Sequence, residues 1–332
     1  MENSEVRALL VTEPAGPAAL RIGTLPVPDA EVVIDVHAAG VTFPDLLLTH
    51  GRYQVRPEPP FAPGLEVAGT VRRAAPGTGF APGDRVVAFT GHGGGYAEAV
   101  GVPAAHVVPL PEAIGFVDGV GLMVNYQTAY FGLAERGRLR AGETVLVHGA
   151  AGGVGTAAVQ VALALGARVL AVVSDDAKAA VARRAGATEV IRTDRWVDEV
   201  RERADGVDVV FDPVGGDRFD ESLRLLRPDG RLLVIGFTEG RIPQVAVNRL
   251  LLRNIEVVGV AWGHYAAIDP GMIRRVGTAL ADLAVAGRVR PVVGRTYAFE
   301  DGAEALADLE ARRAAGKSVL TFRPAAPGVT GR

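Results

Sequence analysis

The sequence predicts an α/β protein whose larger part is a doubly wound parallel sheet and whose remaining part is rich in β-strands. From about Thr144, short apolar runs alternate with amphipathic stretches, which is typical of parallel strands connected through helices. Before about residue 115, short β-prone runs are separated by proline and glycine, which is typical of an irregular all-β domain. A chain of 332 residues is long enough to form both parts.

Composition and charge exclude several classes of protein. A net charge of -3 without a basic run argues against nucleic acid or an anionic membrane as a partner. The chain has no apolar stretch of membrane-spanning length, and its N-terminus, MENSEVRALL, lacks the regions of a signal peptide. We therefore expect a cytoplasmic protein. The absence of cysteine excludes disulfides, thiol nucleophiles and cysteine-ligated metals.

The individual elements follow from runs of apolar residues. The β-rich part contains EVVIDVHAAGV, EVAGTVRRA, DRVVAF, YAEAVGV and HVVPLP. The parallel sheet is predicted from TVLVHGA, ARVLAVV, EVIRT, VDVVFD, GRLLVIGF and IEVVGV. Helices between these strands are expected to begin near Gly153, Asp175, Arg195, Gly216 and Val247. The tail, which ends in the strand SVLTF and a frayed PAAPGVTGR, does not continue the alternation, so we expect it to return to the β-rich part.

A glycine-rich loop, HGAAGGVG, follows the first strand of the parallel sheet and opens a helix. This context makes it a dinucleotide-binding fingerprint, in which Ala150 stands at the first glycine position of GxGxxG. Gly152 allows the backbone to approach a pyrophosphate, and Gly155 allows the helix to pack on the strand. The amides of Gly153 and Val154, at the positive end of the helix dipole, are expected to bind the anion.

The segment VVSDDAK, at the end of the second strand, indicates the cofactor. Lysine occurs in this chain only at Lys178 and Lys317, and arginine supplies the other 33 of the 35 Lys and Arg residues. Where an NAD-binding unit carries Asp or Glu for the ribose, the strand ends in Val173, whereas Ser174 and Lys178 can contact a 2'-phosphate. With Ser174 as the N-cap, the following aspartates would occupy the first helical turn. NADPH is thus the expected cofactor, although Asp175 leaves NADH use open.

These motifs, together with GVTFPD, PFAPGLEVAGTV, GGYAE, NYQTAY, FDPVGG and GKSVL, resemble the zinc-free branch of the medium-chain dehydrogenase/reductase superfamily, the NADPH:quinone oxidoreductases. The resemblance extends over almost all of residues 5 to 322. It implies a GroES-like catalytic domain formed by residues 1–122 and 268–332, with a Rossmann domain at 123–267 inserted into it. It also implies a homodimer, for which the sixth strand, IEVVGVAW, is a candidate interface.

The resemblance also explains why no metal site is expected. Zinc enzymes of the superfamily use Cys, His and Cys, and the matching positions here are Thr42, Leu65 and Val124. None of these side chains can replace thiolate or imidazole at a tetrahedral zinc. The six histidines show no HxH or HExxH spacing, and His148 is expected to be a packed residue. Without a Lewis acid, reduction of a quinone or an activated alkene is the expected chemistry.

The candidate catalytic residues are Tyr53, Thr42 and Asn125. Tyr53 matches the tyrosine of related enoyl reductases, and a neutral phenol can donate a proton as negative charge moves to a carbonyl oxygen. An aromatic anchor for a mobile loop is the alternative interpretation. Thr42 can line the pocket, although many relatives carry asparagine there. The motif NYQTAY, with Asn125 and Thr128, is implied by the resemblance to face the nicotinamide, while a helix cap is an alternative for Thr128.

Further cofactor contacts are expected at the carboxyl ends of the later strands. Gly215 with Gly216, and Gly236 with Phe237, follow two strands of the parallel sheet, where an open α/β sheet forms its ligand crevice. Lys317 is either a cofactor residue or a surface lysine. Two alternatives to quinone or alkene reduction stay open. One is an enoyl-thioester reductase, for which Arg52 and Arg56 beside Tyr53 offer cations, and the other is a non-catalytic NADPH-binding protein.

Overall fold

A computed structural model describes residues 5–322, so the predicted frayed tail lies outside the described residues. The chain divides into two compact units. Unit 1 comprises the chain up to Val120, the segment Arg295–Ala314 and the residues from Ser318 onward. Unit 2 comprises Gly121–Gly294 and Ala315–Lys317. Unit 1 is therefore discontinuous in sequence. No helix among residues 5–322 combines the length and the apolar character needed to span a bilayer.

The first part of unit 1 consists mainly of short strands with two short helices. Its strands are β1 (Glu5–Val11), β2 (Leu20–Pro26), β3 (Val32–Val41), β4 (Glu66–Ala74), β5 (Arg85–Phe89), β6 (Ala99–Val102) and β7 (Val107–Pro109). Its helices are α1 (Phe43–Thr49) and, at the junction with unit 2, α2 (Phe116–Gly121).

Unit 2 alternates strands and helices. It opens with α3 (Val124–Tyr130), which continues as a π-helical turn over Phe131–Arg136. Its strands are β8 (Thr144–Val147), β9 (Arg168–Val173), β10 (Glu189–Arg192), β11 (Val207–Asp212), β12 (Leu226–Val234) and β13 (Glu256–Gly259). Its further helices are α4 (Gly153–Ala164), α5 (Asp176–Arg184), α6 (Trp196–Arg203), α7 (Arg218–Leu225), α8 (Asn248–Arg253), α9 (Trp262–Ile268) and α10 (Met272–Val285). The chain then continues through β14 (Val293–Ala298), α11 (Gly302–Glu310) and β15 (Lys317–Thr321).

The sheet of unit 2 has the strand order β10-β9-β8-β11-β12-β13, with every pair parallel. Each predicted strand of the parallel sheet thus lies in it. Leu146, Leu170, Val210 and Leu232 are fully buried, because helices cover both faces of such a sheet. Each of these side chains stabilises the unit by about 1.5–3 kcal/mol. The strand order reverses between β8 and β11, and open α/β sheets bind their ligands at such a switch point.

Unit 1 contains the strand order β14-β15-β3-β4-β5-β7, with β6 pairing to β3, and a separate antiparallel pair of β1 and β2. The long strand β3 pairs antiparallel with β4, β6 and β15 and supplies the fully buried Val32 and Ile34. Because β15 pairs with β3, the end of the chain returns to the sheet formed by its beginning.

The second boundary between the units requires a correction. The sequence places it at residue 268, but α10 belongs to unit 2, which continues to Gly294. The side chain of Gln127 in α3 donates to the backbone oxygen of Ile273 at 3.1 Å, and Met272 and Leu280 of α10 are fully buried. The helical pattern of α10 predicts a buried face, but it does not indicate which unit that face covers.

Candidate functional site

The loop between β8 and α4 requires glycine at two positions. Gly149 adopts a φ of 59°, which L side chains rarely adopt. A Cβ on Gly155 would lie 2.1 Å from the Gly149 carbonyl oxygen, so any side chain there would push α4 away from the strand. The fingerprint interpretation does not include Gly149, because Ala150 occupies the first position of the motif. Ala150 itself is fully buried beneath the turn.

Gly152 differs from these two glycines. It is the N-cap of α4 with a φ of −79°, and a Cβ on it would meet only the Gly149 oxygen, at an ordinary 3.4 Å. The packing of unit 2 therefore does not require glycine at this position. The N–H groups of Gly153, Val154 and Gly155 lie in the first helical turn, which offers them no acceptor, and no described side chain caps this end. Amide donors at a helix start, preceded by a glycine whose Cβ position has a single ordinary contact, suit an anionic ligand.

Lys317 lies at the same loop. It is only 4% exposed, and its Nζ donates to Asn125 Oδ1 at 3.2 Å. The preceding residue, Gly316, donates its N–H to the Ala151 carbonyl at 2.8 Å, which ties this segment to the loop. A Cβ on Gly153 would lie 2.3 Å from Asn125 Nδ2, so the side-chain amide of Asn125 lies against the first residue of α4. The alternative of a surface lysine is wrong, and the structure adds a buried cation to the predicted anion site.

Thr128 lies inside α3, whose N-cap is Met123, so the alternative of a helix cap is wrong. Asn125 and Thr128 are three residues apart in this helix and therefore share a face. Thr128 is partly buried, and the structure brings the two side chains to the same side of α3 as the start of α4, which Asn125 touches.

The segment after β9 requires a correction, because the N-cap of α5 is Asp175 and not Ser174. Asp175 Oδ1 accepts the Lys178 N–H at 2.8 Å, and Asp175 Oδ2 accepts the Ser174 hydroxyl at 2.8 Å. These bonds, led by the one from the Lys178 amide, lower the pKa of Asp175. The Lys178 ammonium lies 2.9 Å from Ser174 Oγ and 3.3 Å from Asp175 Oδ2. Asp175 thus offsets the unfavourable position of this cation near a helix start.

The loops after β11 and β12 lie together at the carboxyl edge of the sheet. Gly215 has a φ of 69°, and a Cβ on it would meet the Phe237 ring at 3.0 Å. The amides of Val214 and Gly215 donate to Asp212 Oδ1 at 2.9 Å each, while burial raises the pKa of this carboxyl. The N–H of Thr238, two residues beyond Gly236, donates to Pro213 O at 3.1 Å. The structure therefore brings the predicted residues of these two loops into contact.

In unit 1, the predicted Thr42 forms the capping box of α1 together with Asp45, a residue that is not among the catalytic candidates. The Thr42 amide and hydroxyl donate to Asp45 Oδ2 at 2.8 and 2.6 Å. The carboxylate also accepts from the Gly64 amide at 3.0 Å and from the Tyr96 hydroxyl at 3.3 Å. Asp45 is fully buried and Thr42 is 5% exposed. Because a hydroxyl has one hydrogen to donate, this arrangement leaves Thr42 only as an acceptor for further partners.

Tyr53 lies beyond α1 in unit 1 and is partly buried. Burial, followed by the negative charge of Asp45, raises its pKa above the usual value of 10.0. Tyr53 is therefore a neutral phenol at pH 7, which is the protonation state that a proton donor needs. Arg52 and Arg56 beside it are exposed.

The residues at the superfamily's zinc positions have other roles. Leu65 is 2% exposed and belongs to the core of unit 1, and Val124 is the first residue of α3. Among residues 5–322, no group of three or more His, Cys, Asp or Glu side chains could hold a metal ion. His148 is fully buried between the Ser222 hydroxyl at 2.8 Å and the edge of Trp196. Burial lowers its pKa to about 3, as expected for a packed, neutral histidine.

Comparisons with known proteins agree with this architecture. Residues 28–112 match the family model of the alcohol dehydrogenase GroES-like domain, and residues 153–282 match that of the zinc-binding dehydrogenases. The chain is 33% identical to quinone oxidoreductase-like protein 2 of Bos taurus over 326 residues, which are 96% of this chain and 93% of the relative.

Solved structures agree as well. A probable oxidoreductase from Mycobacterium abscessus is 42% identical, with a TM-score of 0.87 and coverage of 96% of this chain and 99% of the other. The quinone oxidoreductase from Thermus thermophilus, which has been solved with NADPH, is 35% identical, with a TM-score of 0.81 and coverage of 95% and 99%.

A GroES-like unit combined with a Rossmann unit defines an oxidoreductase of the medium-chain dehydrogenase/reductase class, and the predicted fold class is confirmed. Within this class, the chain belongs to the zinc-free quinone oxidoreductase family.

Proposed function

We propose that this protein is an NADPH-dependent oxidoreductase that reduces a quinone or an activated alkene, such as an enone or enal, without zinc. The observation that carries the proposal is the start of α4, where three amides without an acceptor in the helix, a glycine that packing does not require at position 152 and the buried Lys317 combine. The Thermus thermophilus relative, crystallised with NADPH, supports the choice of cofactor.

The described residues fit NADPH. The amides of Gly153, Val154 and Gly155, with the Lys317 ammonium, would hold the pyrophosphate. Ser174 and Lys178 would hold the 2'-phosphate. The nicotinamide half would lie against the two loops that carry Gly215, Gly236 and Phe237 and against Thr128. Asn125, whose oxygen accepts from Lys317, is assigned to this cofactor site rather than to proton transfer.

When bound, NADPH supplies the hydride. The chain's own task is then to deliver a proton and to stabilise negative charge on the reduced substrate. We assign the proton to the hydroxyl of Tyr53, which is neutral at pH 7 because its pKa lies above 10.0. Thr42 is a poor alternative, because its hydrogen is committed to Asp45 Oδ2 at 2.6 Å. Asp45 is a positioning residue that fixes Thr42 and the segment at Gly64.

The proposal is tested by a panel of quinones, enones and enoyl-coenzyme A thioesters, each assayed with NADPH and with NADH. We expect NADPH oxidation with a quinone or an enone. The variant Tyr53→Phe should lose about 100-fold or more in kcat for alkene reduction, with an unchanged Kd for NADPH. Tyr265→Phe, at another partly buried tyrosine, is the matched control. An unchanged rate in Tyr53→Phe would remove this residue from the mechanism.

The same panel separates the alternatives. Preference for enoyl-coenzyme A would favour an enoyl-thioester reductase, for which the exposed Arg52 and Arg56 beside Tyr53 are candidate contacts for phosphate groups. Tight NADPH binding without turnover of any substrate would favour a non-catalytic protein.

We also propose a homodimer formed along β13. Within the described chain this strand pairs with β12 alone, so its other edge has no strand partner, although Arg136 Nε donates to the Gly259 carbonyl at 3.2 Å. Nearby in sequence, Val247, Leu251 and Leu252 are 73–76% exposed, which is unusual for large apolar side chains. Light scattering should give twice the chain mass of 34.6 kDa. The double change Leu251→Lys and Leu252→Lys should shift the protein toward monomer, and a monomeric unchanged protein would refute the proposal.

A further inference from the structure

The carboxyl end of β10 lies beside the proposed 2'-phosphate site of unit 2. Strand β10 pairs in parallel with β9, and in this register Arg192 is the partner of Val173, the residue before Ser174. The Thr193 amide donates to the Val173 carbonyl at 3.0 Å, which extends the pairing to the ends of both strands. Because neighbouring strands lie about 4.8 Å apart, the backbone of Arg192 is adjacent to the end of β9.

The side chain of Arg192 reaches toward the start of α5. Its Nη1 lies 2.5 Å from Asp176 Oδ1, and the side chains of the two residues are 41% and 94% exposed. The buried Nε of Arg192 has no hydrogen-bond acceptor among the described residues. The pair with Asp176 thus leaves this guanidinium incompletely satisfied, and an ion pair of such exposure contributes little to stability.

The two cations of this cluster are balanced by two carboxylates. Lys178 lies 3.3 Å from Asp175, and Arg192 lies 2.5 Å from Asp176, so two cations face two carboxylates. A phosphate monoester carries a charge of about −1.5 to −2 at pH 7. Asp175 is committed to the amide of Lys178 as N-cap, whereas Asp176 is almost fully exposed. Asp176 is therefore the carboxylate that most directly competes with a phosphate for a cation.

We propose that Arg192 is a specificity-determining residue for the 2'-phosphate and that Asp176 holds it in the ligand-free protein. This inference rests on the proposed NADPH-dependent function. It adds Arg192 to the residues that bind the 2'-phosphate and Asp176 as a carboxylate that competes with the phosphate for Arg192. A guanidinium has a planar fork of donors that matches phosphate oxygens, so it adds a directional contact to the point charge of Lys178. On binding, the guanidinium exchanges the Asp176 carboxylate for the phosphate.

The experiment measures the Kd of NADPH and of NADH by titration of the full chain, without any substrate. Arg192→Gln should raise the Kd of NADPH about tenfold, which corresponds to about 1.4 kcal/mol, and should leave the Kd of NADH unchanged. Asp176→Asn should lower the Kd of NADPH several-fold, because it releases Arg192. The matched control is Arg249→Gln, which breaks the ion pair between α8 and Asp220, because the exposed fractions of Arg249 and Arg192 are 38% and 41%.

Each outcome has a defined meaning. An unchanged Kd for NADPH in Arg192→Gln, or an equal rise for NADPH and NADH, overturns the assignment of Arg192. An unchanged Kd in Asp176→Asn overturns the competition. Adenosine 2',5'-bisphosphate, titrated alone, should show the same losses as NADPH if the 2'-phosphate is the group that Arg192 contacts. Failure of the unchanged protein to bind NADPH would instead refute the proposed function. The variants therefore test the role of Arg192, and the unchanged protein tests the proposed function.

Discussion

Two glycines of the loop before α4 should respond in opposite ways to the same added methyl group. In Gly155→Ala, the new Cβ would lie 2.1 Å from the Gly149 carbonyl oxygen and 2.8 Å from the Ala150 Cα. In Gly152→Ala, the Cβ would lie no closer than 3.4 Å to the Gly149 oxygen, its nearest neighbour. The first change should therefore destabilise the protein, whereas the second should mainly obstruct the ligand.

The expected magnitudes follow from these distances. In Gly155→Ala the obstructing atoms are backbone, so relief requires a shift of α4, and overpacking of this kind costs about 1–3 kcal/mol. Reduced entropy of the unfolded chain returns about 0.4–1 kcal/mol. A net loss of about 1–2 kcal/mol lowers the Tm by roughly 2–8 °C. In Gly152→Ala the φ of −79° suits alanine, and the entropic gain nearly offsets the preference for glycine over alanine at an N-cap.

The assay combines thermal unfolding, followed by circular dichroism, with titration of NADPH. We expect Gly152→Ala to keep the Tm within about 2 °C while its Kd for NADPH rises at least about tenfold. The reasoning is refuted if Gly155→Ala melts like the unchanged protein, or if Gly152→Ala binds NADPH normally. The second result would show that no part of the ligand lies against Gly152.

Three further substitutions test charged residues, two of them in cofactor binding and one in stability. Lys317→Met should weaken NADPH and NADH equally, by about tenfold or more, because the pyrophosphate is common to both; a loss confined to NADPH would contradict this assignment. Lys178→Ala should raise the Michaelis constant for NADPH more than for NADH. Equal effects would show that Lys178 does not contact the 2'-phosphate. For Glu143, burial alone would raise the pKa, but the Arg231 guanidinium, which donates to both carboxylate oxygens at 2.9 Å, lowers it on balance. Because the folded pKa lies below the unfolded value of 4.5, this pair stabilises the protein above that pH, and the stabilisation falls as the pH drops through the folded pKa. In Glu143→Gln, the free energy of unfolding, measured with urea from neutral to acidic pH, should fall less as the pH drops. An unaltered pH profile of this free energy would contradict the role of the pair.

The sequence was informative where the physical signal is local. Apolar runs predicted the strands of unit 2, since a buried parallel strand needs little beyond its own residues. The spacing of Gly152 and Gly155 likewise predicted the turn into α4. In contrast, the N-cap of α5 was assigned to Ser174 rather than Asp175, because SDD contains three successive residues that can all cap a helix.

Residues whose roles depend on distant parts of the chain could not be predicted in this way. Lys317 is separated from its partner Asn125 by 192 positions, so its burial depends on where the last strand passes. The contribution of Arg192 depends on the register of β10 against β9. The unit to which α10 belongs depends on the contact of Gln127 with Ile273. No pattern within a short window contains this information.

The contact of Gly316 with Ala151 has a consequence for biosynthesis. Residues 121–294 leave the ribosome before Ala315–Lys317, so the sheet of unit 2 can form while its anion site still lacks the ammonium group and the strand segment that holds it. If Lys317 holds the pyrophosphate, as proposed, the nascent protein reaches its full affinity for a dinucleotide only after the segment Ala315–Lys317 has docked. On this proposal, cofactor capture is a late step of biosynthesis that follows the docking of this C-terminal segment.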